Sequence, residues 1–193
     1  MISHTLGVVL AGGKSRRMGI DKASIEVGGT SMLALAVATL SGLFDDVVVA
    51  GGSEAPPGCV LLADTLPGAG PLAGLDAAYG VARDRAVFLM ALDMPFVDDA
   101  TVRSIVEPTV DVMAARVPIS GNRRHPLCAV YGANLGPLVT ERLVREDRSM
   151  AAFIAGIDGV EYVRVEERPM VNVNTIEDLE AALRESGPPR STR

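Results

Sequence analysis

The chain has 193 residues, 48% of them apolar, and a formal net charge of −6. That length suits one domain spanning 1–193 with a sizeable core, and with no Trp and only 4% aromatics the core must be built from Val, Leu, Ala, Ile and Met. No apolar run reaches the roughly 18 residues of a spanning helix, no Lys/Arg cluster interleaves with aromatics as nucleic-acid binding would ask, and Cys59 and Cys128 alone make neither a disulfide framework nor a zinc site.

The opening MISHTLGVVLAGG has no Lys or Arg ahead of its short apolar run, which argues against a secretory leader and for a soluble cytoplasmic protein. Gly7 to Ala11 reads as a buried strand ended by Gly12-Gly13. Gly28-Gly29 closes a short extended piece, Thr30 or Ser31 caps a helix to about Leu40, and Gly42 ends it. Val47–Ala50 and Val60–Ala63 are further strands, and a Gly/Pro-rich loop after Asp64 leads to a helix starting near Pro71. Ala86–Leu92 is the longest apolar strand and runs straight into Asp93; Asp98 and Asp99 then cap a helix over Ala100–Val106. Strands are expected at Asp111–Ala115, Cys128–Tyr131 and Val160–Val165, and a helix over Leu135–Arg145. Thr175-Ile176-Glu177-Asp178 reads as a capping box ahead of a last helix to Arg184, and the tail 187–193 is expected to fray. Both cysteines are expected to be buried small hydrophobes in strands.

Strands alternating with helices imply an α/β layer architecture with a mostly parallel sheet. Ligands in such sheets bind beyond the carboxyl ends of the strands. Gly12-Gly13, Asp64 and Asp93 each follow an apolar strand, so parallel neighbours would gather them on one edge.

The first of these loops needs a test of its own. GVVLAGGKSRRMGIDK contains Gly13-Lys14-Ser15, the close of a P-loop, but five residues before Gly13 stands Val8, not glycine. Three of the four residues that should wrap phosphate (Val9, Leu10, Ala11) belong to the strand, and Gly19 falls where the P-loop helix should begin. A dinucleotide-binding glycine pattern is missing as well. What remains is a wide loop in which two glycines let the backbone approach a base or phosphate, and in which Lys14, Arg16, Arg17 and Lys22 crowd into nine positions of an acidic chain. That composition suits an anion site.

LAGGKSRRMGIDKA resembles the signature of the molybdenum cofactor guanylyltransferases, members of the wider nucleotidyltransferase group that includes sugar-nucleotide pyrophosphorylases. DTLPGAGPLAGL, LMALDMPF, RRHPLCAVY and VNVNTIEDL resemble further segments of that family in the same order, so the likeness runs from Gly7 to about Leu183. It implies a three-layer Rossmann-like nucleotidyltransferase fold and transfer of GMP from GTP to the terminal phosphate of molybdenum-molybdopterin, with pyrophosphate leaving and no covalent enzyme intermediate. It further implies Mg2+ as cofactor, held by Asp93 at its strand end. Leu10, Ala11, Gly12 and Gly13 would form the guanine and ribose wall, Lys22 and Arg17 would meet the phosphates, and Asp64 would contact the nucleotide. Lys14 and Arg16 match positions where the family varies. His125 and Arg148 are candidates for the molybdopterin site, with Arg123 and Arg124 beside them. The resemblance leaves two roles for the Asn-x-Asn pair: Asn174 completing the metal shell, as in the wider group, or Asn172 and Asn174 holding the pterin or its phosphate. Apo-molybdoenzymes or other cofactor-biosynthesis proteins are implied partners; nucleic acid and membrane are not. A cytidylyltransferase, a sugar-1-phosphate enzyme and a non-catalytic nucleotide sensor stand as rivals. One departure from the family is visible: its second strand is followed by a nucleotide-touching asparagine, where this chain has Ala50-Gly51-Gly52 and can offer only backbone.

Overall fold

The computed structural model describes residues 1–12, 22–107, 111 and 114–186. A central eight-stranded sheet carries helices on both faces. Its strands are β1 (Thr5–Leu10), β4 (Val47–Ala50), β5 (Val60–Leu62), β6 (Ala86–Ala91), β7 (Ala114–Ser120), β8 (Arg123–Arg124), β9 (Cys128–Tyr131) and β10 (Gly159–Arg164), in the order β10-β7-β9-β6-β1-β4-β5 with β8 paired to β7. β2 (Glu26–Val27) and β3 (Thr30–Ser31) form a separate small hairpin.

β6, β1, β4 and β5 are mutually parallel, as are β7 and β10. β9 runs against both of its neighbours, β6 and β7. β1 and β6 are buried along their whole length, which is why both read as unbroken apolar runs rather than alternating ones. Successive residues nonetheless face opposite layers. Val8, Leu10, Val87 and Leu89 pack with α2 (Pro71–Ala82), α4 (Gly136–Val144) and α5 (Met150–Ala155). Val9, Val49, Phe88 and Met90 pack on the other face with α1 (Met32–Ser41), α3 (Asp99–Val106) and α6 (Ile176–Ser186).

The caps follow local rules. Ser31 accepts from the Ala34 N–H at 3.2 Å, and Asp98 from the Thr101 N–H at 3.0 Å. At α6 the box is reciprocal: Asp178 N–H donates to Thr175 Oγ1 at 3.1 Å while Thr175 N–H donates to Asp178 Oδ2 at 3.0 Å.

Several expectations need correction. β7 starts at Ala114 and continues to Ser120, because its later residues pair with β8 and β10 rather than entering a loop. Asp111 lies outside it. Cys59 sits in the turn before β5, half-buried, its thiol donating to the Val47 carbonyl at 3.3 Å; Cys128 is buried within β9 as expected. α5, too short for a helical apolar period to stand out, was not foreseen. The tail 187–193 lies outside the described residues. No helix among the described residues is long and apolar enough to cross a membrane.

Candidate active site

The parallel strands end level with one another. Leu10 lies beside Ala50 on one side and Ala91 on the other, and Ala50 lies beside Leu62. One to two residues beyond that row stand Gly12, Gly51, Asp64 and Asp93. The close approach is a property of glycine. Gly51 has φ +70°, and a Cβ there would stand 2.9 Å from the Gly12 nitrogen and Cα and 3.2 Å from Asp64 Oδ1. An L side chain is disfavoured at this φ and would collide with the first loop. Gly51 thus lets Gly12, the turn after β4 and Asp64 meet. Burial raises the Asp64 pKa above the ordinary carboxylate range.

Asp93 is half-buried at the end of β6, and two contacts tie it to a distant segment. Its carbonyl accepts from Val173 N–H at 2.7 Å, and its Oδ2 lies 3.4 Å from Asn172 Nδ2. Val173 is fully buried between the two asparagines, so the strand-like alternation turns both outward from the core. The capping box fixes the next residue, with Asn174 N–H donating to Asp178 Oδ2 at 2.9 Å.

On the far side of Asn172 opens a cleft of about 630 Å3, lined by Phe96, the β7–β8 hairpin, His125, Arg168, Asn172, Asn174 and the Asp178–Glu185 side of α6. His125 is buried, with Nε2 2.7 Å from Ser120 Oγ. Its burial, and secondarily the charge of Arg123, lowers its pKa below that of an ordinary imidazole. Arg168 stacks its guanidinium 5.8 Å from the Phe96 ring centre. The arrangement joins a row of strand ends to a polar cleft, with Asp93 and Asn172 at the junction.

The family model for the MobA-like NTP transferase domain matches residues 7–164. The chain belongs to the MobA-like NTP transferase family. A Mycobacterium tuberculosis protein described as a probable molybdenum cofactor guanylyltransferase is 36% identical over 187 residues, 92% of each chain. The crystal structure of molybdopterin-guanine dinucleotide biosynthesis protein A from Archaeoglobus fulgidus superposes with a TM-score of 0.74 at 22% identity, covering 92% of this chain and 96% of that one. A Mycobacterium tuberculosis protein crystallised in complex with manganese superposes at 0.66 with 19% identity, over 95% of this chain and 100% of the other. This chain is thus a nucleotidyltransferase in which mixed α/β topology, not sequence identity, carries the likeness to the solved structures.

The MobA-like fold places the expected site residues unequally. Ala11, Gly12, Asp64 and Asp93 gather at the strand ends; Leu10 is there too, but its side chain is in the core and its carbonyl accepts from Leu92 N–H at 3.1 Å. A Cβ on Gly74 of α2 would run into Leu10 Cδ1, so helix and strand are in close contact at that point. His125, Asn172 and Asn174 share the cleft, which Arg123 also lines. Arg148 is exposed between α4 and α5, on the layer opposite α6, and is not among the cleft residues. Arg124 leaves the cleft to stack on Tyr162, 4.6 Å from its ring centre. Gly13, Lys14, Arg16 and Arg17 lie outside the described residues, as does the side chain of Lys22, whose backbone opens a short 3-10 helix, Lys22–Ser24.

Sequence reasoning missed Ser120, Asn122, Glu167 and Arg168. A signal existed for the first two. Gly121-Asn122 between residues able to pair is a two-residue hairpin loop with glycine at its first position. Arg168 opens a three-residue 3-10 helix, Arg168–Met170, ahead of a proline, and carries no such mark.

Among the described residues no group of three or more His, Cys, Asp or Glu side chains gathers as a metal cage. Asp93 offers a hard carboxylate, and Asn172 Oδ1 beside it is buried with no hydrogen-bond partner among the described residues. One carboxylate with an amide oxygen nearby fits a hard cation that takes its other ligands from phosphates and water. Thiolate or imidazole ligands, which would suit a softer metal, are not part of this junction.

Proposed function

We propose that this chain transfers GMP from GTP to the terminal phosphate of molybdopterin, forming the guanine dinucleotide cofactor and pyrophosphate. The observation that carries the reading is the Asp93–Asn172 junction, where the parallel strand ends meet the acceptor cleft. The family membership and the described activity of the relative support it.

In this reading Gly12 and Ala11 form a flat wall for the nucleoside, with Gly13 continuing it, and Leu10 sets their height from the core. Gly51 and Gly52 replace a side-chain contact to the nucleotide with backbone. Asp64 faces the same space. Arg17 and Lys22 meet the phosphates, Arg by its fork and Lys as a point charge. His125, Asn172 and Asn174 hold the acceptor so that a phosphate oxygen lies in line with the α-phosphorus; that oxygen forms the new P–O bond as pyrophosphate takes the electrons of the old one. Alignment of two anions and neutralisation of developing charge then supply the rate. Asp93, with Asn172 beside it, would hold Mg2+, which bound there offsets phosphate charge. Arg148 contributes only if the acceptor extends beyond the cleft walls. The protein works in the cytoplasm and passes its product to apo-molybdoenzymes.

Purified protein given GTP, Mg2+ and molybdopterin should release pyrophosphate and form a product with the mass of the guanine dinucleotide. Equal turnover of CTP, or turnover of a sugar 1-phosphate in place of molybdopterin, would replace the reading by one of its rivals. GTP binding without any turnover would make the chain a sensor.

A further inference from the structure

The His125 ring is held by more than its own packing. Its Nε2 stands 2.7 Å from Ser120 Oγ, and both residues are buried, at 5% and 8% exposure. Its backbone N–H donates to the Pro118 carbonyl at 2.9 Å, which fixes where the ring enters the cleft. Ser120 is fixed in turn. It is the last residue of β7, beside the loop residue Gly121, whose φ is +54° and on which a Cβ would come within 2.9 Å of Glu167 Oε1. The hairpin is therefore seated against the segment after β10, which also donates Val165 N–H to the Ile119 carbonyl at 3.0 Å. A serine hydroxyl can donate to Nε2 or accept from it, so the contact fixes the ring's orientation in either tautomer.

We propose that Ser120 is a positioning residue for the transfer: its hydroxyl holds the His125 ring in one orientation, so that the other ring nitrogen meets the acceptor. This rests on the reading of the cleft as the acceptor site. Ser120 touches neither reacting phosphate; it acts through His125, and it sets affinity for the acceptor while leaving GTP alone.

The chain has two histidines, His4 and His125, so nitrogen NMR of histidine-labelled full-length protein resolves both rings, and His125→Gln assigns them. Wild type should show the His125 Nε2 shift displaced by its hydrogen bond to the Ser120 hydroxyl. In Ser120→Ala the Nε2 shift should move as that hydrogen bond is lost, the KM for molybdopterin should rise about tenfold, as expected for a lost hydrogen bond, and the KM for GTP should stay put. Ser120→Thr should restore both readouts. Unchanged His125 shifts in Ser120→Ala overturn the proposal. So does an unchanged acceptor KM in that variant when His125→Gln raises it. If His125→Gln itself leaves the acceptor KM unaltered, the reading of the cleft fails, whatever the Ser120 variants do.

Discussion

The two halves of the sheet reach their chemistry by different routes. In the half made of β6, β1, β4 and β5, functional groups sit at the ends of parallel strands that finish level, so the topology alone delivers Gly12, Gly51, Asp64 and Asp93 to one edge. In the half made of β7 to β10, β7 and β10 run parallel but β8 and β9 run against β7, so the four strands have no common functional end. There the cleft is assembled from a hairpin turn, the segment after β10 and the cap of α6. A parallel half needs few special residues because the sheet places them. A mixed half depends on individual contacts, and each of these can be lost separately.

Asp93→Ala tests that contrast most severely. Removing the strand-end carboxylate should cut kcat by roughly 10²–10³-fold, as loss of one charge-stabilising group does elsewhere, with the fold intact by circular dichroism. Persistent pyrophosphate release would move the chemistry off the parallel edge. Next in size is a pair of glycine substitutions, one in each half. Gly51→Ala meets backbone 2.9 Å away at φ +70°, so it should destabilise by about 1–3 kcal/mol and raise the KM for GTP. Gly121→Ala meets only the end of the Glu167 side chain, which can swing aside; the cost should fall near about 1 kcal/mol, and the KM that rises should be that of the acceptor. Both variants raising the same KM would dissolve the division into halves. Thr175→Ala removes one arm of the α6 capping box and should cost about 1 kcal/mol, lowering the melting temperature by about 2–4 °C for a chain of this size and weakening the acceptor more than GTP.

The smallest effect concerns Asp64. Burial raises its pKa in the folded chain, so the fold is favoured while the carboxyl is protonated, and that advantage is lost as pH rises through the folded value. Asp64→Asn keeps the shape without the charge. Thermal scans should find the ligand-free variant about 1–2 °C more stable at pH 7.5, the effect being limited by solvent screening of a half-buried group, and no different from wild type at pH 3. A variant less stable at both pH values would mean that the carboxylate, not its burial, matters to the fold.

The same contrast explains what could be read in advance. Strands β1, β4, β6 and β9 stood out as short apolar runs, and an apolar run ending in Gly or Asp marks a strand-end ligand position. The α6 box was legible because two side chains three residues apart obey one backbone rule. β7 was cut short because Arg116, Pro118 and Ser120 break its apolar pattern. Arg116 is nevertheless buried, its Nη1 donating to the Ile105 carbonyl at 2.9 Å and its Nε 2.9 Å from Glu161 Oε2. Those partners lie 11 and 45 residues away, beyond any local pattern. The Asp93–Asn172 contact spans 79 residues; it was within reach only as a family likeness between two motifs.

Antiparallel β9 pairs with β6 on one side and β7 on the other, which makes it the seam along which the two halves are sewn. Cys128, its first residue, is fully buried, and burial pushes its thiol up to about 12. A thiol so placed is inert to alkylation until the seam unzips. Cys59, half-buried outside the sheet, should react first. The pair is therefore a built-in clock: the delay between the two alkylations measures how long the halves stay joined once the periphery has begun to open.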